Sequence, residues 1–159
     1  MTIRPATAAD HDAIWSIFHE VVASADTYAY APDTPREEAL RFWVELPRAT
    51  YVAEEAEEVL GTYFIKTNQP GLGDHVCNAG YMVAAKWRGR GIGRALCEHS
   101  LEEARRLGYR AMQYNLVVAS NPAVRLWERM GFETVGRLPG AFRLKGHEYV
   151  DALVMYRPL

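Results

Sequence analysis

The chain has 159 residues, the usual size of one domain, and a net charge of −2 at neutral pH. Its content of 49% hydrophobic and 24% charged residues excludes a disordered or fibrous protein. No apolar run reaches the roughly 18–20 residues that a membrane span requires, and a basic excess typical of nucleic-acid binding is absent. We expect one domain over residues 1–159, located in the cytoplasm, with no membrane and no nucleic-acid partner.

The N-terminal half of the chain predicts two helices and three strands. Thr7 and Thr34 are both capping residues, and each is typical of a helix start. After Thr7, apolar residues recur at helical spacing and predict one buried face, formed by Ile14, Ile17, Phe18, Val21 and Val22. The strands expected in this half are Ile3–Ala6, Thr50–Ala56 and Val59–Lys66.

The C-terminal half predicts two more helices among four strands. One helix runs from Gly91 to Leu107, and a shorter one begins at Asn121 and ends at Gly131. The strands expected here are His75–Ala85, Ala111–Val118, Glu133–Leu138 and Tyr149–Arg157. Because a helix connects the first two strands, they should be parallel neighbours with a right-handed crossover. The element order predicts an α+β (mixed α/β) fold, with one central mixed sheet flanked by helices.

A basic, glycine-rich segment joins the strand His75–Ala85 to the helix that follows it. It consists of Arg88-Gly89-Arg90-Gly91-Ile92-Gly93-Arg94. Glycines let the backbone approach a ligand closely, and the start of a helix offers unpaired N–H groups and the positive end of its dipole. Together with the guanidinium groups, these features predict a site for phosphate. The spacings of nucleotide-hydrolysing and dinucleotide-binding loops are absent.

Two segments resemble the GNAT superfamily of N-acetyltransferases. Residues 88–93 match its [RQ]-x-x-G-x-[GA] signature, and residues 121–132 resemble its N-x-x-A-x-x-L-Y-E-K-x-G-F segment. The resemblance implies a GNAT-like, mostly antiparallel sheet and acetyl-CoA as co-substrate. It implies that residues 81–83 pair with the pantetheine arm and that one of their N–H groups faces the thioester oxygen. The implied cofactor-binding residues are Tyr81, Met82, Val83, Arg88, Gly89, Arg90, Gly91, Ile92, Gly93, Arg94, Asn121 and Trp127.

The proton transfers of such a reaction are left open by two departures from the family pattern. Trp127 stands where the family often has a tyrosine that protonates the leaving thiolate, and an indole cannot act as an acid. Cys77 stands where some relatives have a glutamate base. Tyr114 and Tyr81 are alternative proton donors, or aromatic residues that pack in their strands. His75 is a possible proton relay on the substrate side, or an exposed residue at the start of a strand.

The acceptor side of the site is predicted from polar and aromatic residues. Asn78 and Asn115 interrupt apolar strands, so they either hold a substrate or a catalytic water, or form structural hydrogen bonds. Tyr28 and Tyr30 lie in a predicted loop and should form part of the acceptor wall. We expect the loop 68–74 and the segment 139–149, which lies between two predicted strands, to contribute to this wall, and we expect no metal site.

The function that these features predict is acetyl transfer from acetyl-CoA to a primary or secondary amine of a small, amino-acid-like acceptor. A protein N-terminal or lysine acetyltransferase is an alternative, and it would need an open groove. A non-catalytic acyl-CoA-binding module is a second alternative, favoured by the missing tyrosine and the missing strand carboxylate. Many members of the superfamily are dimers, so a homodimer is a further possibility.

Overall fold

A seven-stranded sheet forms the centre of the computed structural model, which describes residues 1–159. Its strands are β1 (Thr2–Pro5), β2 (Ala49–Glu55), β3 (Glu58–Thr67), β4 (Val76–Val83), β5 (Ala111–Val118), β6 (Glu133–Leu144) and β7 (Glu148–Pro158). They lie in the order β1-β2-β3-β4-β5-β7-β6. Every neighbouring pair is antiparallel except β4 and β5, which are parallel. The predicted α+β fold with one parallel pair is therefore confirmed.

Helices cover both faces of this sheet. They are α1 (His11–Ala23), α2 (Arg36–Leu40), α3 (Ile92–Arg106) and α4 (Ala123–Arg129), and a π-helical turn over Arg41–Glu45 continues α2. Because successive residues of a strand point to opposite faces, Met82 packs in the core under α1, whereas Tyr81 packs in the core under α3. None of the helices combines the length and the apolar character needed to cross a membrane. No group of three or more His, Cys, Asp or Glu residues is arranged to hold a metal ion.

A buried carboxylate fixes the start of α1 against the sheet. The Asp10 side chain is 5% exposed, and it accepts two hydrogen bonds from the Arg4 guanidinium at 2.8 and 2.9 Å. It also accepts the Thr7 backbone N–H at 2.7 Å, which satisfies a donor at the helix entrance. The hydrogen bond from Arg4 is the main cause that lowers the pKa of Asp10. The same guanidinium binds Glu54 on β2, so one cluster joins β1, β2 and the helix entrance.

The structure corrects the prediction for residues 139–149, which form the end of the β6–β7 hairpin and not a free loop. Pairing is interrupted between Leu138 and Phe142 and then resumes. Gly140 adopts a left-handed φ of +60° there, and its N–H donates to Asp151 at 3.0 Å. Pro139 and Gly140 therefore lie at an irregularity inside a strand.

Candidate active site in the cleft between β4 and β5

The parallel strands β4 and β5 separate soon after they meet. Their backbone pairing covers only Val76 with Ala111 and Cys77 with Met112. At the next position, the Asn78 side-chain amide donates to the Gln113 carbonyl across the opening at 2.9 Å. Beyond this point a cleft of about 740 Å³ lies between the strands. It is bounded by β4, β5, the loop that follows α1 and the start of α4.

Six of the predicted cofactor-binding residues line this cleft: Tyr81, Met82, Val83, Arg88, Asn121 and Trp127. The other six, residues 89–94, form the turn that follows and the start of α3. Gly89 and Gly91 have φ values of +76° and +78°, a left-handed backbone that favours glycine. Ile92 is buried in the core, so its backbone N–H and not its side chain can face a ligand.

The charges of the loop are of two kinds. Lys86 is paired with Glu58, and Arg94 is paired with Glu98 at 2.8 Å. Arg88 and Arg90 form no ion pair, although Arg90 lies 4.6 Å from the centre of the Trp87 ring. These two exposed guanidinium groups are therefore free to bind an external anion.

The centre of the cleft contains a backbone donor and acceptor that the sheet does not use. The Tyr81 N–H donates to the Tyr28 hydroxyl at 2.8 Å, and this hydroxyl donates to the Tyr81 carbonyl at 2.6 Å. Tyr28 thus bonds to β4 on the side where a neighbouring strand would otherwise pair. Burial raises the pKa of Tyr28, so the phenol stays protonated at neutral pH. A ligand that pairs with β4 at this point has to displace the hydroxyl.

A chain of hydroxyl groups points away from the cleft towards α3. Tyr114 donates to the Tyr81 hydroxyl at 3.0 Å, which lies 2.7 Å from the Ser100 hydroxyl, and Ser100 donates to the Cys97 carbonyl at 2.7 Å. Burial raises the pKa of Tyr81 and Tyr114 well above the ordinary value of a phenol. The chain ends on the Cys97 carbonyl, and the Tyr114 hydroxyl also lies 3.7 Å from the Cys97 Sγ atom, so both phenols are engaged on the α3 side. This geometry does not support Tyr81 or Tyr114 as the proton donor.

Trp127 and Asn121 close the far side of the cleft. The Trp127 ring packs against the rings of Tyr81 and Tyr114, with centroid distances of 5.1 and 5.2 Å. Asn121 accepts the Ala123 N–H at 2.9 Å, so its side chain caps the start of α4. The structure therefore gives Asn121 a local structural contact in addition to its place on the cleft wall.

The acceptor half of the cleft brings together four of the predicted residues: Tyr28, Tyr30, Asn78 and Asn115. Asn115 donates to the Asn68 side chain at 2.7 Å. His75 is not among the lining residues. It precedes β4 at the end where β4 and β5 are still paired, and its carbonyl accepts the Arg110 N–H at 2.8 Å. The prediction of His75 as a residue of the substrate side is corrected for this reason.

The cleft wall also contains Asp26 and Thr27, which lie in the predicted acceptor loop 25–32, and Lys66, a charged residue that sequence reasoning missed. Thr27 has a buried hydroxyl with no hydrogen-bond partner. Lys66 lies on β3 directly opposite Asn78, at the edge of a hydrophobic strand. A lysine at the end of a strand is usually solvated, so its position carried no distinguishing signal.

The sequence profile of the "Acetyltransferase (GNAT) family" matches residues 14–132, and the chain belongs to this family. It is similar to the N-acetyltransferase aca1 of Schizosaccharomyces pombe, with 44% identity over 67% of this chain and 52% of that protein. It is also similar to the L-amino acid N-acetyltransferase AaaT of Escherichia coli, with 30% identity over 63% of this chain and 62% of that protein. The chain thus spans about half to two thirds of these relatives.

Two solved structures match nearly the whole chain. A GCN5-related N-acetyltransferase from Kribbella flavida is 44% identical with a TM-score of 0.93, over 99% of this chain and 97% of that one. A phosphinothricin acetyltransferase from Sinorhizobium meliloti, solved in complex with acetyl-CoA, is 28% identical with a TM-score of 0.85, over 99% and 88%. Acetyl-CoA is the co-substrate of this family, and the residues of the cleft fit it. The unpaired arginines suit its phosphates, and the open edge of β4 suits its amide-containing arm.

Proposed function

We propose that the protein transfers the acetyl group of acetyl-CoA to the amine of a small, amino-acid-like acceptor. The observation that carries this proposal is the backbone donor and acceptor of Tyr81 at the centre of the cleft, which no strand pairs and which the Tyr28 hydroxyl occupies. The phosphate-binding loop lies on one side of this point, and the amide side chains of Asn78 and Asn115 lie on the other. A thioester held between them would meet an amine from the acceptor half.

The residues of the cleft have distinct tasks in this reaction. Acetyl-CoA supplies an activated thioester, and the Tyr81 N–H is a donor for the negative charge that develops on its oxygen. Trp127 excludes water from the thiol side, and its indole gives no proton to the departing thiolate. A thiol with an ordinary pKa near ~8.5 can leave as the thiolate, so no acid is required at this position.

A small acceptor is favoured because the loop that forms one wall of the cleft is tied to the β6–β7 hairpin. The Lys145 N–H at the tip of the β6–β7 hairpin donates to the Ala25 carbonyl at 2.9 Å, and its ammonium group donates to the Ser24 carbonyl at 2.6 Å. These bonds hold the loop that carries Tyr28 and Tyr30. A protein substrate would need an open groove instead. The name of the Escherichia coli relative supports an amino-acid acceptor.

The test is thiol release from acetyl-CoA with free amino acids, amino-acid analogues, polyamines and short peptides. We expect turnover with amino acids or their analogues and a background rate with polyamines. Turnover with peptides alone would overturn the proposal in favour of a protein acetyltransferase. Tight acetyl-CoA binding without thiol release on any acceptor would favour a non-catalytic module.

We expect Tyr28→Phe to bind acetyl-CoA about 5–150-fold more tightly than the wild-type protein. The substitution removes a hydroxyl that occupies the Tyr81 N–H and carbonyl in the free protein, and each such bond has a net value of about 0.5–1.5 kcal/mol. Calorimetric titration measures the effect, and Tyr149→Phe, at an exposed tyrosine, is the control. Weaker binding by Tyr28→Phe would show that this hydroxyl holds the cofactor and does not compete with it.

A further inference from the structure

Lys66 is a cation of the cleft wall that has no anionic partner. It is half-buried on β3, and its ammonium group forms neither an ion pair nor a hydrogen bond within the protein. Taking a charge partly out of water is unfavourable unless an opposite charge or a hydrogen bond compensates. An anionic group of a ligand in the cleft would provide this compensation.

The contact of the Lys66 ammonium group with Phe64 shows where along β3 this charge lies. The Lys66 Nζ atom lies over the Phe64 ring, 5.4 Å from its centroid, so the side chain leans back along β3. The partner of Phe64 on β4 is Gly80, which directly precedes Tyr81. The ammonium group therefore lies near the level of Gly80, the residue that directly precedes the backbone donor at the centre of the cleft.

The other two charged side chains that line the cleft, Asp26 and Arg88, are engaged elsewhere. Its lining contains three charged side chains: Asp26, Lys66 and Arg88. Asp26 is already bound by Lys145 and by the Ser24 hydroxyl. Arg88 belongs to the phosphate-binding loop. The acceptor half therefore carries one uncompensated positive charge, which attracts a carboxylate and repels a second amine.

We propose that Lys66 binds the carboxylate of the acceptor and thereby selects amino acids over amines that lack a carboxylate. In an α-amino acid a single carbon separates the amine from the carboxylate. An acceptor held by Lys66 would thus present its amine close to the Tyr81 N–H. The amide groups of Asn78 and Asn115 lie on the same side and can bind the second carboxylate oxygen. The inference rests on the proposed function, because it assigns the acceptor of that same site.

The test compares wild-type protein, Lys66→Met and Lys66→Arg with L-methionine and L-methioninamide, which differ only in the carboxylate. We expect the preference for the acid over the amide, as a ratio of kcat/KM values, to fall by about 10–100-fold in Lys66→Met. The lower preference should come from a higher KM for L-methionine. Lys66→Arg should restore most of the preference. Comparing this ratio between variants cancels the different basicity of the two amines. Arg105→Met removes a charge from an exposed site on α3 and is the control.

An unchanged preference in Lys66→Met, or an equal loss in Arg105→Met, would overturn the assignment. A second readout does not depend on turnover: calorimetric binding of L-methionine to the protein saturated with coenzyme A. If wild-type protein releases no thiol with any acceptor, the proposed function fails, and this titration still decides the role of Lys66. Binding that Lys66→Met loses supports the role, whereas equal or absent binding in both proteins overturns it. The affinity of Lys66→Met for acetyl-CoA shows whether this variant still binds the cofactor as the wild-type protein does.

Discussion

Replacing Arg88 and Arg90 together by glutamine is expected to weaken acetyl-CoA binding by about 100-fold or more. Neither guanidinium group forms an ion pair within the protein, so both are available to the phosphates of the ligand. A hydrogen bond to a charged group contributes about 1.5–3 kcal/mol, and each 1.4 kcal/mol is a factor of about ten in affinity. Titration at low and high salt should also show a shallower salt dependence in the variant, because exposed charges are screened by salt.

The matched control replaces Arg105 and Arg110, which are also exposed and have no ion-pair partner. Arg105 lies in the last turn of α3 and Arg110 directly precedes β5, so this control has the same net charge as the loop variant and leaves the loop unchanged. We expect its acetyl-CoA affinity to stay within about threefold of wild type, since surface charges at a distance are largely screened. Equal losses in the two double variants would show that net charge, and not the loop, governs binding.

Asp10→Asn is expected to lower the free energy of unfolding by about 2–4 kcal/mol. Removing one partner of a buried ion pair costs about 3–5 kcal/mol, and the partial exposure of Arg4 reduces this cost. Denaturant unfolding measures the change. Glu54→Gln is the control, because Glu54 binds the same guanidinium from a more exposed position and should cost below about 1 kcal/mol. Equal costs would mean that burial of Asp10 has no special effect.

The contribution of Asp10 also predicts a pH dependence. Its pKa is lowered in the folded protein, mainly by the hydrogen bond from Arg4, so its stabilising effect is fully present above the unfolded value of ~3.9. The effect is lost as the pH falls through the lower, folded value. The difference in stability between wild type and Asp10→Asn should therefore narrow below about pH 4. A difference that stayed constant down to pH 2 would contradict this account.

The fold and the glycine-rich turn before α3 were predictable because their signals are local. A strand, a glycine-rich turn and a helix start follow one another between residues 75 and 107, and chain connectivity alone makes the two flanking strands parallel. The positive φ values of Gly89 and Gly91 agree with the reason for expecting glycine there. Such features depend on residues close in sequence.

The acceptor half was predicted less well because it depends on register and on the direction of side chains. Tyr114 has the chemistry of an acid, but alternation along β5 turns its hydroxyl towards Cys97 and Tyr81. His75 is a few residues from Asn78, yet it lies at the paired end of the strands. Lys66 becomes part of the site only because β3 and β4 pair with Lys66 opposite Asn78.

The sequence was sufficient for the order of the elements, the parallel pair and the phosphate-binding turn, since each follows from local spacing, capping and glycine chemistry. The tertiary structure decided that Tyr28 reaches Tyr81, 53 residues away, and that Lys66 lies unpaired beside Asn78. These contacts join segments that are distant in the chain, and strand register and packing around Trp43 bring them together. A shift of one residue in that register would turn each side chain to the opposite face.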